Sequence, residues 1–212
     1  MIGSIDPHDC AISDVNRRNR GPRRSPAGAL LGVVVWAASG AAAPAAEPTV
    51  DELLSAVVQV RASVPGDART AATLGTERSG SGVVIDGNGL VVTVGYLILE
   101  ADSVSVVSAD ERALPAEIVA YDHESGLGLL RVDPSVAAMP MRLGDSARLK
   151  QRDPLLVASF GGREAARPAV LVARRDFAGY WEYLLENALF TWPPHPLFGG
   201  AALVTQAGEL VG

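Results

Sequence analysis

The feature that most limits the fold of this chain is a series of short aliphatic runs, each closed by turn residues. The runs lie at 57–64, 82–86, 90–93, 104–107, 116–121, 127–132, 155–159, 169–173 and 202–205. Each is too short for a buried helix and rich in the β-branched residues that suit a pleated surface. Gly, Asp, Asn and Pro separate them at the spacing of an antiparallel barrel or sandwich. Gly87-Asn88-Gly89 between two such runs is a hairpin signal and predicts a type I′ turn with positive φ at both central residues. Aromatic residues are only 5%, so the core has to be built from Val, Leu, Ile and Ala. Thr49 to Ser55 is the one helical reading, with Thr49 as N-cap and Glu52 completing a capping box. The run Tyr180 to Phe190 fits helix or strand, because its apolar residues are continuous rather than alternating.

Charge and cysteine content remove whole classes of function. The net charge of −6 argues against nucleic acid as a partner. Cys10 is the only cysteine, which excludes a disulfide scaffold, a cysteine-rich zinc site and an iron–sulfur cluster. No cofactor and no metal are implied.

Residues 1–46 read as a secretory signal. Arg17, Arg18, Arg20, Arg23 and Arg24 precede an uncharged stretch, 27–43, which runs into Ala-x-Ala cleavage sites at 41–43 or 43–45. The expectation is an exported, periplasmic protein. The alternative is an inner-membrane anchor formed by residues 27–43, and contact with a membrane is expected only if this segment is uncleaved. Cleavage removes Cys10 and leaves His123 and His195 as the histidines.

Several motifs occur in a fixed order after this segment. They are Gly80-Ser-Gly-Val-Val-Ile-Asp86, Asn88-Gly-Leu-Val-Val-Thr93, the run 120–132 containing Gly126-Leu-Gly-Leu-Leu130, Leu143-Gly-Asp-Ser146, Phe198-Gly-Gly200 and Gly208-Glu-Leu-Val-Gly212. Together they resemble the trypsin-like serine proteases of the HtrA (Deg) family. The resemblance implies an all-β fold, a trypsin-like double six-stranded β-barrel. It places the first barrel at 47–142, an inter-barrel linker at 143–154 and the second barrel at 155–212. The family has a further strand and a closing helix beyond the position of Gly212, so the second barrel is expected to be truncated, with an unpaired edge.

The resemblance fails where the chemistry sits. The family's catalytic histidine, aspartate and serine positions hold Tyr96, Gly126 and Phe198. Phe198 has no nucleophilic atom, Tyr96 titrates near ~10 and is a poor base at neutral pH, and Gly126 orients nothing. One oxyanion-hole donor falls on Pro196, which has no N–H; losing one such donor costs ~10²–10³ in rate. The expected protein is therefore a pseudoprotease that is not an enzyme and binds an unfolded or extended peptide. The alternatives are an endopeptidase with a rearranged site, or a non-functional gene remnant.

The remaining candidates are few. His123 and His195 flank the expected cleft and read as a rearranged site, a shared metal site or two exposed loop histidines. Trp181, Tyr183, Trp192 and Phe198 are the candidate peptide-binding residues, although the aromatic cluster also reads as core of the second barrel. Phe198 is expected to fill the old cleft. Ser79 and Ser81 read as structural, and Gly161-Gly162 lacks the residues of a phosphate loop.

Overall fold

A computed structural model of the chain describes residues 48–137, 139–179 and 184–212. The signal or anchor segment, 1–46, lies outside the described residues, as do Trp181 and Tyr183. The described residues belong to one unit, Ala45–Gly212. Among them, no helix is long and apolar enough to cross a membrane.

The N-terminal helix α1 (Val50–Ser55) forms as its cap residues dictate. Thr49 Oγ1 accepts from the Glu52 N–H at 3.2 Å, and the Glu52 carboxylate accepts from the Thr49 N–H at 2.8 Å. The first six strands follow: β1 (Val57–Ser63), β2 (Glu77–Val84), β3 (Leu90–Val94), β4 (Ser103–Val107), β5 (Ala113–Tyr121) and β6 (Leu127–Arg131). They close into a barrel in the order β1-β2-β3-β6-β5-β4, with β1 paired to both β2 and β4. Closure leaves no strand edge open. Alternate residues point inward, so Val58 and Val60 of β1, Val91 of β3, Val106 of β4 and Leu130 of β6 are wholly buried. Such a core needs no aromatic residue.

The second sheet is open. It comprises β7 (Arg142–Leu143), β8 (Pro154–Ala158), β9 (Ala166–Ala178), β10 (Leu184–Trp192), β11 (Ala202–Thr205) and β12 (Glu209–Leu210). Their order is β10-β9-β8-β11-β12-β7, all antiparallel except β12 against β7. The architecture is thus all-β, with one closed six-stranded barrel and a second, unclosed six-stranded sheet, as the resemblance implied. The described part of the ambiguous run 180–190 is strand, because β10 pairs along β9.

Three local expectations need correction. The turn at 87–89 is not type I′: Gly89 has φ +76°, whereas Asn88 is not in the left-handed region. Instead Asp86 Oδ1 accepts from the N–H groups of Asn88 (2.9 Å) and Leu90 (2.7 Å), so the carboxylate builds the turn. Leu143, read as linker, pairs with Leu210 in the second sheet. Trp192 is not core; it stands 63% exposed at the end of β10.

Candidate active site

Ser81 joins the barrel to the second sheet. It is buried on β2, its N–H donates to the Gly199 carbonyl at 2.8 Å, and its Oγ accepts from the Phe160 N–H at 3.0 Å. Its carbonyl accepts from Thr93 Oγ1 at 2.7 Å. A side chain at Gly200, which has φ +74°, would place its Cβ 1.9 Å from that same carbonyl oxygen. Glycine at 200 is therefore required twice, by conformation and by space. These contacts bring the ends of β8 and the 193–200 loop against the barrel.

Tyr96 lies in the 3-10 turn Gly95–Leu97, whose Gly95 N–H donates to the Gly126 carbonyl at 2.7 Å. The Tyr96 hydroxyl would be only 2.6 Å from a Cβ at Gly199. Arg78, buried in β2, holds this turn from behind by donating Nη1 to the carbonyls of Tyr96 and Leu99, both at 2.8 Å. Gly126 closes the 122–126 loop with φ +70°. Asp122 organises that loop: its carboxylate accepts from the Ser125 hydroxyl and from the N–H groups of Glu124 and Ser125. The Ser125 hydroxyl, followed by the Glu124 N–H, holds the Asp122 carboxyl below the usual carboxylate range. His123 in the same loop is exposed and packs on Tyr121, with ring centroids 4.5 Å apart.

The 193–200 loop departs most from expectation. Phe198 does not fill a cleft; it is 75% exposed, and its neighbours Pro196 and Leu197 also face solvent. His195 is not an exposed loop histidine. It is 8% exposed, and its Nδ1 lies 3.3 Å from Oγ of Ser159, which is itself 1% exposed at the end of β8. The Leu197 N–H donates to Nδ1 at 3.1 Å, so Nδ1 carries a lone pair. The proton is then on Nε2, which donates to the Ala165 carbonyl at 3.1 Å. The one proton of the Ser159 hydroxyl goes to the Leu197 carbonyl, so both groups of the pair are engaged by the Leu197 backbone.

A serine hydroxyl therefore sits beside an imidazole nitrogen in the tautomer that can take its proton once the Leu197 backbone withdraws, and the ring is held from its far side. The expected pseudoprotease, and with it the expectation that the chain is not an enzyme, is corrected by this pair. Tyr96, Gly126 and Phe198 occupy the family's own catalytic positions, and the Ser159–His195 pair lies outside them. Sequence reasoning missed Ser159 because it reads as the polar end of an apolar run. A hydroxyl closing a buried strand just before Gly161-Gly162 is the one signal that could have drawn attention to it. Among the described residues, no group of three or more His, Cys, Asp or Glu side chains is placed to hold a metal ion.

The sequence pattern of the trypsin-like peptidase domain matches residues 80–212, which is more than half of the chain. The chain belongs to the trypsin-like peptidase domain family. Among curated members, it is 28% identical over 152 residues to the serine protease Do-like HtrA of Lactobacillus helveticus, covering 66% of this chain and 36% of that protein. It is 36% identical over 75 residues to a probable periplasmic serine endoprotease DegP-like of Pseudomonas putida, covering 34% of this chain and 15% of that one. A DegP-like protein of Rickettsia conorii is 34% identical over 67 residues, covering 32% and 13%. The chain thus spans about a third or less of the length of these relatives. Two solved structures share the trypsin-like fold. The HtrA-type protease AlgW with tripeptide superposes with a TM-score of 0.62 at 24% identity, covering 78% of this chain and 53% of that chain. Its S227A form with tripeptide gives 0.59 at 21%, with the same coverage.

Proposed function

We propose that this trypsin-like domain is a serine-type hydrolase of the HtrA kind, acting on extended peptides in the periplasm, with Ser159 as nucleophile and His195 as general base. The reading rests on the 3.3 Å approach of Ser159 Oγ to the unprotonated Nδ1 of His195 in a fold built for acyl transfer. Similarity to proteins named as periplasmic serine endoproteases supports the compartment and the reaction class. The tripeptide held by the HtrA-type structures supports the substrate class.

In the reaction, Ser159 Oγ attacks the peptide carbonyl carbon while its proton passes to His195 Nδ1. The same proton is then given to the leaving amine, and water repeats the sequence to release the acyl group. The Ala165 carbonyl holds Nε2–H and so fixes the tautomer, but it supplies no negative charge to the imidazolium. Removing the carboxylate from a Ser-His-Asp triad costs about 10⁴ in rate, so turnover here is slow. Substrate reaches Ser159 only if the tip 196–198 moves aside, and the same movement takes the Leu197 N–H off Nδ1 and the Leu197 carbonyl off the Ser159 hydroxyl, which frees the pair for proton transfer. Leu197 is 60% and Phe198 75% exposed, so that movement sacrifices little apolar burial.

The test is cleavage of an unfolded protein substrate by the full chain, by Ser159→Ala and by His195→Gln. Slow cleavage that disappears in both variants, each still melting cooperatively, supports the reading. Cleavage that survives in Ser159→Ala refutes it.

A further inference from the structure

The Ala165 carbonyl serves both Ser159 and His195. It accepts from the Ser159 N–H at 3.0 Å and from His195 Nε2 at 3.1 Å, so one oxygen ties the backbone that bears the hydroxyl to the ring beside it. Ala165 ends the 3-10 turn Gly162–Ala165, which the chain reaches from β8 through Phe160 and Gly161. Gly161 and Gly162 have φ +123° and +66°, a path that residues with a side chain resist. The base of this turn is fixed by the pairing of Ala158 with Ala166 and by the Phe160 N–H on Ser81 Oγ.

The crown of the turn is held from elsewhere in the fold. Arg163 donates Nε to Asp51 Oδ1 at 2.6 Å and Nη2 to Asp51 Oδ2 at 3.2 Å. Asp51 stands in the first turn of α1, 112 residues earlier in the chain. Two parallel contacts of this kind fix the orientation of both partners, which a single contact does not. Beneath the ion pair, α1 and the turn leave a cavity of about 420 Å³, lined in part by Asp51, Leu54, Ser55, Phe160, Gly161 and Gly162. The turn therefore has room to shift, and the ion pair bridges the gap. The two side chains are 63% and 71% exposed, so the pair adds little to global stability and acts on position instead.

We infer that Arg163 and Asp51 are positioning residues for His195, acting through the Ala165 carbonyl; this rests on the reading of Ser159 and His195 as nucleophile and base. Their side-chain hydrogen bonds go to each other, not to Ser159 or His195. With the crown clasped to α1, the carbonyl oxygen faces Nε2–H. The proton stays on Nε2 and the lone pair on Nδ1, where Ser159 Oγ lies. With the clasp released, the turn shifts over the cavity and the carbonyl leaves Nε2. The ring then also adopts the Nδ1–H tautomer, which cannot take the serine proton. Partners one step removed from a reacting imidazole commonly act in this way, by fixing its tautomer and orientation.

The experiment joins ring nitrogen-15 spectra of the histidines in the full chain, which separate the two tautomers without turnover, to cleavage of an unfolded protein. His195→Gln identifies the His195 signals. The parent should show the Nε2–H tautomer alone. Asp51→Asn and Arg163→Gln should each show mixed tautomers and lower kcat about tenfold, the scale of a small misplacement, with KM and melting temperature unchanged. The charge-exchanged variant Asp51→Arg with Arg163→Asp should recover most of the tautomer signal and of kcat. An unchanged His195 tautomer in the single variants, or a kcat that falls only in step with the melting temperature, would overturn the inference. So would a charge-exchanged protein as defective as the single variants. If the parent does not cleave, the hydrolase reading fails alone, because the tautomer and its response to Asp51→Asn still decide this one.

Discussion

Replacing Gly200 with alanine tests how the site is fixed to the barrel. The residue has φ +74°, a conformation that costs an alanine about 1 kcal/mol relative to glycine. The new Cβ would stand 1.9 Å from the Ser81 carbonyl oxygen, a backbone atom that cannot swing away as a side chain would. Relief requires separating the 199–200 turn from β2. That breaks the Ser81 N–H to Gly199 carbonyl bond and disturbs the Thr93 Oγ1 bond to the Ser81 carbonyl, in a buried place where each unsatisfied group costs about 1–3 kcal/mol. The sum is about 3–7 kcal/mol. For a domain of this size about 2–4 °C is lost per kcal/mol, so the melting temperature should fall by roughly 10 °C. The assay is thermal unfolding followed by circular dichroism, with Gly66→Ala as the control, since nothing lies within 4 Å of a Cβ there. If Gly200→Ala melts with the control, the barrel and the second sheet are not joined through Ser81 as described.

Leu130→Ala empties a wholly buried position in the barrel and should cost about 2–5 kcal/mol in urea unfolding, whereas Phe198→Ala, at an exposed tip, should stay within about 0.5 kcal/mol. Acid should weaken the fold through its turn carboxylates. The Leu90 N–H holds the Asp86 carboxyl below its usual value, and the Ser125 hydroxyl does the same for Asp122. The unfolded chain then binds protons more readily, so this contribution is fully present above pH ~4 and is lost as the pH falls through the depressed folded values. The urea midpoint should drop as the pH falls below ~4, and Asp122→Asn should flatten that drop.

The barrel was legible in the sequence because each strand declares itself as a short aliphatic run closed by turn residues. Val58, Val60, Val91, Val106 and Leu130 come from such runs, and the chain turns where Asp, Asn and Gly allow. Thr49 and Glu52 announced the helix by a local, reciprocal pair of hydrogen bonds. What was not legible depends on contacts between distant residues. Asn88-Gly89 suggested a turn type, but the Asp86 carboxylate selected another. Leu143 looked like linker until its pairing with Leu210 was visible. Trp192 and Phe198 looked buried by their chemistry, yet an end of a strand and the tip of a loop leave them in solvent. The Ser159–His195 pair joins residues 36 apart through a loop whose path no local pattern encodes.

Ser159 and His195 are proposed as a nucleophile and base that substrate can reach. The most direct measurement is treatment of the full chain with a fluorophosphonate probe, followed by peptide mass mapping. A slow, single adduct on Ser159 that is absent in His195→Gln is expected. No adduct after prolonged exposure, or an adduct on another residue, would contradict it.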